Sequence, residues 1–545
     1  MIPMVVQLLL LSYIILAVNG INPKIDLRNS IRKIRDVSNT IPYIENIRLD
    51  RSNIFQPIDI ISKKSIDLIN TGNLIPKNYE VLNVDVLKDE VMNQNLIDSK
   101  TEAIPFGLEI IIGLTSSLLL DSFLPLEVIF TAESIFLAYI TFLRNVWINK
   151  PKKLEEGQYD RSWPSIWQSS LESVEDPRVW FASWFLNDIK FEDITLEDAE
   201  DFLCWAMYQN IPDAITDKER VELSKSVRQI EEFTNHKFPR RNGRAPLTSM
   251  RSSLEKFKGN HKPLAFYLIT QGIFGKVMEN DLKAIGFVAD ASIKPFRYFI
   301  KESQVREDGL HPVVFMHGVG GMPAYIKLCK SILTKISPNH PFILVEMPYV
   351  SLHVSPNVPS VDDHVGFLKE VLNKHGYKKG IFVGHSWGSN IVSWIAQSDP
   401  SIVAATIFLD PVCFMLQLRD ITYNWFYRQK EDSQKTLIKS VMGLVKTETF
   451  SVNTLQRNLV WFRNIIWPHE LQKQNIKTCV IVSSDDHIVP SKEIVRSIEQ
   501  HNTENPNDTC IQIHQLDNAD HGGMVFDEAL REQTTDIIKK FIKLV

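Results

Sequence analysis

The chain has 545 residues, of which 44% are hydrophobic and 23% are charged, and these proportions are ordinary for a folded globular protein. Its formal net charge of -5 at pH 7 provides no basic footprint for nucleic acid, so we expect no nucleic-acid partner. The five cysteines include no Cys-x-x-Cys pair, and they therefore predict neither a zinc site nor a redox dithiol.

The amino terminus is an apolar run over residues 2–18 that ends in the small residues of Ala-Val-Asn-Gly. This pattern is typical of a secretory signal peptide, although no Lys or Arg precedes the run. We interpret residues 1–20 as a signal peptide, with an uncleaved anchor as the alternative. Either one indicates the secretory pathway or the endomembrane system, where the sequon Asn507-Asp508-Thr509 becomes the candidate glycosylation site.

Residues 21–104 form a polar leading segment, rich in Asn, Asp and Lys, without a long periodic pattern. We expect this segment to be loosely folded or to depend on a partner for its structure.

Residues 105–149 are apolar for longer than a soluble helix normally sustains, and a break at Pro125 divides them into two arms, 106–122 and 126–147. Each arm is near the length that spans a bilayer. Four carboxylates within the arms oppose insertion, because a charged side chain at bilayer depth costs about 2.5 to 3.5 kcal/mol; they are Glu109, Asp121, Glu127 and Glu133. A membrane-inserted helical pair and a pair of buried core helices both remain possible.

Residues 155–300 are predicted to form a mainly helical, Trp-rich accessory region. Trp180-Phe181 and Trp184-Phe185 repeat at a spacing of four residues, which places the rings in one broad stripe on a helix. We expect these rings to pack in a core, because aromatic stripes at helical spacing usually do.

From residue 308 to the end, short runs rich in Val, Ile and Phe alternate with helical patterns. This alternation predicts an α/β fold with a mostly parallel, doubly wound sheet, in which reactive groups lie at the carboxyl ends of the strands. The predicted strands are 312–316, 342–346, 381–384, 402–409, 479–483 and 509–513.

The third of these strands leads into the sequence Gly-His-Ser-Trp-Gly at residues 384–388, and a helical pattern follows. Gly384 and Gly388 lack the Cβ atoms that would collide where a strand and a helix come this close. Ser386 is therefore predicted to stand on a tight turn between the strand and the helix, which is the nucleophile elbow.

A serine hydroxyl needs a base, and the base needs a carboxylate to orient it. His521, in a small-residue loop after the last strand, is the predicted base for Ser386. Asp486, in the loop after strand 479–483, is the predicted acid. Asp410, after strand 402–409, is the alternative acid, and the role we favour for it is to brace the base of a lid.

Four further polar side chains lie next to these candidates in the sequence. His385 is expected to line the pocket or to pack, and Asp485 to face away or cap a turn. His487 and His514 are expected to have structural or surface roles.

The sequence His-Gly-Val-Gly-Gly at residues 317–321 directly follows the first strand. Such a loop can point backbone N–H groups into a cavity, and we predict that the amides of Val319 and Trp387 form an oxyanion hole. Each donor of this kind lowers a barrier by about 3 kcal/mol. No Gly-Lys-Ser or Gly-Lys-Thr follows, which argues against a phosphate loop. We predict no metal and no organic cofactor.

Residues 411–475 interrupt the alternation with amphipathic, aromatic-rich helical sequence and are predicted to form a lid over the serine. The rings of the lid favour an apolar or lipid-like ester substrate. Equally, they could only pack the lid onto the Trp-rich region. Both interpretations stay open.

From about residue 312 onward, the strand order, His317-Gly318, the elbow, Asp486 and His521 resemble the α/β-hydrolase superfamily. Residues 408–414 (FLDPVCF) and 423–428 (YNWFYR) further resemble a group of long, largely uncharacterised eukaryotic α/β-hydrolase-like proteins with an AB hydrolase-1 domain. In that group a membrane-associated, Trp-rich amino-terminal half precedes the catalytic domain. The resemblance implies a catalytic triad of Ser386, Asp486 and His521, but it implies no particular substrate. The bulky Trp387 departs from the common pattern and would narrow the acyl pocket.

These observations predict a membrane-associated serine hydrolase that cleaves a carboxylic ester, a thioester or a lipid through an acyl-enzyme. The alternative is an inactive α/β-hydrolase fold that serves as a binding or membrane-scaffolding module.

Overall fold

The computed structural model describes residues 126–150, 163–303, 309–428, 443, 445–506 and 511–545. The chain divides into two compact units, Met1–Thr141 and Phe142–Val545. Several predictions lie outside the described residues: the signal peptide or anchor at 1–20, the polar segment at 21–104, the first apolar arm and the sequon.

The second apolar arm is helical over Leu126–Leu143 and continues as a π-helix, Arg144–Ile148. Within it, Ile129–Ile148 is long and apolar enough to cross a membrane, and 17% of this stretch is buried. One such helix is weak evidence for a span, because core helices of soluble proteins can meet the same criterion.

The unit Phe142–Val545 contains an eight-stranded sheet with the order β1-β2-β4-β3-β5-β6-β7-β8. β1, β2 and β4 pair antiparallel, and all pairs from β4 through β8 are parallel. The predicted mostly parallel α/β fold is therefore confirmed. The strands are β1 (Val288–Asp290), β2 (Arg297–Lys301), β3 (Val313–Met316), β4 (Phe342–Glu346), β5 (Gly380–His385), β6 (Val403–Leu409), β7 (Lys477–Ser483) and β8 (Ile511–Leu516).

Strands β1 and β2 were not expected, because they lie in the region predicted to be mainly helical. In β2 the three central residues, 298–300, are all buried, so the sequence lacks the alternation that marks a strand with one exposed face. The sheet therefore begins before the predicted boundary at residue 308.

Two layers of helices cover the sheet, and the strand residues alternate between two apolar clusters. In β3, for example, Val314 and Met316 belong to one cluster while Val313 and Phe315 belong to the other. Helices Val361–Lys374, Gly388–Ser398 and Ser491–Glu504 contribute to the first cluster, and helices Ile326–Ile336, Gly523–Phe526 and Glu528–Ile542 to the second. Short 3-10 turns add to both clusters, Pro348–Val350 and Pro400–Ile402 to the first and Met322–Tyr325 to the second.

The accessory region has a core of its own, and the aromatic stripe packs there as predicted, with Phe181 and Phe185 almost completely buried. Thr195 and Thr216 begin two of its helices with capping boxes. Its helices are Trp163–Glu172, Pro177–Ser183, Leu196–Tyr208, Asp217–Thr234, Leu264–Tyr267, the π-helix Leu268–Phe274 and Gly275–Ala284, with 3-10 turns at Phe191–Asp193 and Pro212–Ala214.

The described part of the lid consists of short helices joined by turns, and it is bound to the accessory region. The indole N–H groups of Trp180 and Trp184 both donate to the carbonyl of Gln417, at 2.8 and 3.1 Å. The buried guanidinium of Arg457 donates to the carbonyls of Ser253 and Glu255. The helices of the lid are Asp420–Thr422, Tyr423–Tyr427, Thr449–Val452, Asn453–Arg457, Trp461–Asn464 and Pro468–Lys473.

The close approach of β3 to the helix Gly388–Ser398 yields a stability prediction. A Cβ on Gly388 would lie 2.2 Å from the carbonyl oxygen of Met316, so Gly388→Ala forces the backbone apart and should destabilise the fold by about 1 to 3 kcal/mol or more. Gly366, in the helix Val361–Lys374, has open space around its Cβ position, and Gly366→Ala should stabilise by about 0.5 to 1 kcal/mol. Thermal melting of both variants checks this, and a Gly388→Ala variant that melts with the wild type would contradict the packing.

Candidate active site

Ser386 follows β5 directly and stands at the tight turn that the glycine spacing predicts. Its φ angle of 50° lies in the left-handed region, and its amide donates to the carbonyl of Leu409 at 3.0 Å. A Cβ on Gly384 would lie 2.5 Å from the carbonyl oxygen of Gly388, so neither glycine position has room for a side chain. The sharp turn places the hydroxyl at the carboxyl end of β5, where it is partly accessible.

Three predicted side chains meet at this edge of the sheet. The Nε2 atom of His521 lies 2.9 Å from the hydroxyl oxygen of Ser386, and its Nδ1 lies 2.7 Å from a carboxylate oxygen of Asp486. The other oxygen of Asp486 accepts the amides of Ile488 and Val489, at 2.7 and 2.9 Å. The acid is therefore fixed by the backbone of its own loop.

The partners of the imidazole decide its tautomer. An ionised carboxylate can only accept, so Nδ1 of His521 carries the hydrogen that is donated to Asp486. The neutral ring then offers the lone pair of Nε2 to the hydroxyl of Ser386. In this arrangement Nε2 of His521 is placed to accept the proton of Ser386.

The imidazole of His521 is almost fully buried, and burial by itself lowers its pKa. The charge and hydrogen bond of Asp486, together with the charges of Asp410 and Asp520, outweigh burial and raise the pKa of His521 to about 9. The ring therefore gains its neutral, proton-accepting form at alkaline pH.

Asp410 binds other groups than we expected. Its fully buried carboxylate accepts the amide of Ser483 at 2.7 Å, the hydroxyl of Ser483 at 3.0 Å and the amide of Gly522 at 2.8 Å. It thus joins the end of β7 to the loop of His521, because β6 and β7 are adjacent. These contacts differ from the predicted bracing of the lid. The hydrogen bond to His521 is made by Asp486.

The other polar candidates behave as expected. His385 is buried, with Nδ1 2.9 Å from the hydroxyl of Tyr325. His487 forms an exposed ion pair with Asp520, His514 lies within β8, and Asp485 is exposed.

The glycine-rich loop lies against the nucleophile, since a Cβ on Gly318 would be 2.9 Å from the Cβ of Ser386. Trp387 is the residue that precedes the helix Gly388–Ser398, so its amide is one of the free N–H groups at a helix start. Within the described residues, no carbonyl accepts the amide of Val319 or of Trp387. Both predicted donors therefore remain available. The indole of Trp387 itself packs in the core beside Tyr349.

Asp410, Asp486 and His521 have donor atoms within 4.8 Å of one another, a spacing that could hold a metal ion. These atoms already bind Ser386, Ser483 and backbone amides in hydrogen bonds of ordinary length. The arrangement therefore fits proton transfer better than cation binding.

Part of the lid reaches the site, and much of the rest packs on the accessory region. A Cβ on Gly320 would lie 4.0 Å from Val445, so the lid touches the glycine-rich loop. Trp461 donates to the carbonyl of Ala206 at 2.9 Å, and its ring lies 6.0 Å from that of Trp163. The packing interpretation holds for Trp461.

Sequence reasoning missed Tyr325, whose hydroxyl accepts the amide of Gly318 at 3.0 Å and contacts His385. A single tyrosine in a 3-10 turn has no local pattern that marks it, because its role depends on contacts between separate loops.

Residues 311–460 match a family model described as alpha/beta hydrolase fold. Residues 311–460 are therefore similar to the α/β-hydrolase superfamily. No curated protein matches the sequence of the chain.

Solved structures that resemble the α/β-hydrolase domain cover about half of this chain. A bacterial membrane phospholipase A is 14% identical, with a TM-score of 0.38, and the match covers 51% of this chain and 92% of that protein. A carboxylesterase of the thaumarchaeon Nitrososphaera gargenis is 17% identical, with a TM-score of 0.34 and coverages of 47% and 98%. Naproxen esterase of Bacillus subtilis is 13% identical, with a TM-score of 0.34 and coverages of 49% and 97%.

The contacts of His521 predict its titration. In the wild type we expect the ring to titrate near its raised pKa of about 9. Asp486→Asn removes the nearest negative charge, so the pKa of His521 should fall by about one unit or more. Asp485→Asn removes a neighbouring charge that is exposed to solvent, and it should leave the pKa of His521 unchanged. NMR titration of the imidazole checks this, and an equal pKa in the wild type and Asp486→Asn would contradict the assigned contact.

Proposed function

We propose that this protein is a serine hydrolase that cleaves an ester-like bond through an acyl-enzyme. Ser386 is the nucleophile, His521 the general base, and Asp486 the acid that orients the imidazole. The observation that carries the proposal is the continuous hydrogen-bonded chain from the hydroxyl of Ser386 through His521 to Asp486, at 2.9 and 2.7 Å. Such a constellation is recognised by geometry and roles, whatever the fold.

In the first half of the reaction, the oxygen of Ser386 attacks the carbonyl carbon while its proton passes to Nε2 of His521. The amides of Val319 and Trp387 donate to the oxygen that becomes negative. When the tetrahedral intermediate collapses, the bond to the leaving group breaks and the imidazolium of His521 returns the proton to that group. The acyl group stays on Ser386.

In the second half, water takes the place of the leaving group. His521 accepts a proton from the water, whose oxygen attacks the acyl carbon, and the bond to Ser386 then breaks. The serine regains its proton from the imidazolium. Asp486 remains ionised throughout and stabilises the positive ring.

The substrate class we propose is a carboxylic ester, a thioester or a lipid with an apolar acyl group. Support comes from the lid, whose apolar residue Val445 is buried beside the glycine-rich loop. A buried apolar side chain beside this loop helps to exclude water and favours apolar ligands. The thioester, the lipid and the simple ester differ in the leaving group.

We also propose that the protein associates with membranes of the secretory or endomembrane system. The apolar stretch Ile129–Ile148 supports this, because it leaves large side chains in solvent: Ile135 is 66% exposed and Trp147 is 56% exposed. A lipid substrate would then be present at the same surface. Carbonate extraction of membranes from expressing cells tests the association.

Removal of the nucleophile tests the enzymatic proposal. Ser386→Ala should lower the turnover of short p-nitrophenyl esters by a factor of about 10⁴ or more, because the remaining groups cannot form the acyl-enzyme. Its melting temperature should stay close to that of the wild type. Ser484→Ala, in the loop after β7, is the control and should keep most of the activity.

Retained turnover in Ser386→Ala would assign the chemistry to another residue. A wild type without turnover on any ester or thioester would favour the inactive binding or scaffolding module.

A further inference from the structure

A second polar cluster, formed by Asp410, His385 and Tyr325, lies behind the reacting groups, and the proposed mechanism gives it no step. The carboxylate of Asp410 is completely buried, as is the imidazole of His385 apart from 4% of its side-chain surface. Burying an ionised carboxylate is costly unless it is fully hydrogen-bonded.

Hydrogen bonds fix the direction of each group in the cluster. The hydroxyl of Tyr325 accepts the amide hydrogen of Gly318, so its own hydrogen is free to be donated to Nδ1 of His385, 2.9 Å away. Burial lowers the pKa of His385, which keeps the ring neutral. Its one hydrogen then lies on Nε2, which is 3.8 Å from Asp410 and makes no hydrogen bond.

The cluster touches every loop that the proposed reaction uses. Tyr325 holds the glycine-rich loop through the amide of Gly318, next to the predicted donor Val319. His385 immediately precedes Ser386. Asp410 holds the end of β7, from which the Asp486 loop starts, and the amide of Gly522, which follows His521. Tyr325 and His385 thus link the glycine-rich loop to the elbow, and Asp410, which approaches His385 to 3.8 Å without a hydrogen bond, links β7 to the His521 loop.

The negative charge of Asp410 also acts on the imidazole of His521 and raises its pKa. The ionisable groups around this ring are Asp486 after β7, Asp410 after β6, Asp520 in the same loop and His385 at the end of β5, whose ring centre is 5.4 Å away. Asp520 is exposed and paired with His487, so its charge is screened. Asp410 is therefore the second buried negative charge at the imidazole, after Asp486.

We propose that Asp410, His385 and Tyr325 form a positioning relay, which aligns the oxyanion loop with the His521 loop and adds the charge of Asp410 to that of Asp486 in stabilising the imidazolium. None of the three touches the reacting atoms. The inference rests on the proposed serine-hydrolase function and adds positioning residues to it.

The charge of Asp410 is tested by the pH dependence of kcat/KM for a p-nitrophenyl ester, with the background rate taken from Ser386→Ala. In Asp410→Asn the rising limb of the pH profile should move to lower pH by about one unit, because loss of the negative charge lowers the pKa of His521. The value of kcat should fall about 10-fold, and KM should change less than twofold. Asp485→Asn removes a nearby exposed charge and is the matched control, whose limb should coincide with that of the wild type. An unmoved limb in Asp410→Asn would overturn the electrostatic part of the relay.

The hydroxyl of Tyr325 is tested by Tyr325→Phe, which leaves the amide of Gly318 without its acceptor but changes no charge. We expect kcat to fall about 10-fold at constant KM, while the pH limb stays in place. A wild-type kcat would overturn the link to the oxyanion loop.

If the Asp410→Asn variant does not fold, Asp410→Ser takes its place, because the smaller serine hydroxyl can still accept a hydrogen bond from one backbone amide. If both variants fail to fold, the Tyr325→Phe measurement decides the relay. If the wild-type enzyme is active, an unmoved limb in the Asp410 variant together with a wild-type kcat in Tyr325→Phe rejects the relay alone. A wild-type enzyme without activity rejects the serine-hydrolase function itself.

Discussion

The whole site depends on how closely the helix Gly388–Ser398 approaches β3 and β5. Glycines on both sides of Ser386 let the chain reverse within a few residues, and the serine adopts a left-handed φ of 50°. Non-glycine residues in this conformation cost free energy, and surrounding packing must enforce it. Here the helix is buried along almost its whole length, so the core supports the turn. Ser386 is held by packing that a single methyl group on either glycine would disturb.

The parallel register of the sheet brings the remaining groups to the same edge. Leu409 of β6 pairs with Ile481 of β7, so the two strands end at similar heights and their following acids, Asp410 and Asp486, approach one imidazole. Backbone amides donate hydrogen bonds to both carboxylates, and these bonds stabilise two buried negative charges. Both charges favour the protonated form of the imidazole, which the proposed reaction forms when the proton leaves Ser386.

Strands β3 to β8 could be predicted from the apolar runs of the sequence, and the meeting of Ser386, Asp486 and His521 follows from where those strands end. Ser386 could be predicted from the spacing of the glycines around it. Asp486 and His521 could be predicted from their positions in the loops after the last two strands. The contacts of Asp410 could not be predicted, since they depend on which strand lies beside β6. Strands β1 and β2 lack alternation, and Tyr325 has no local pattern. The role of the aromatic rings in the lid could not be predicted, because their packing partners lie more than 200 residues away in the sequence. Trp461, for example, contacts Ala206.

The central claim is that Ser386 is a nucleophile activated by His521. Treatment of the full-length protein with a fluorophosphonate, followed by peptide mapping by mass spectrometry, tests this claim most directly. We predict one adduct, on the peptide that contains Ser386, and its loss when His521 is replaced by Ala. A folded wild type without an adduct, or an adduct on another serine, would contradict the account.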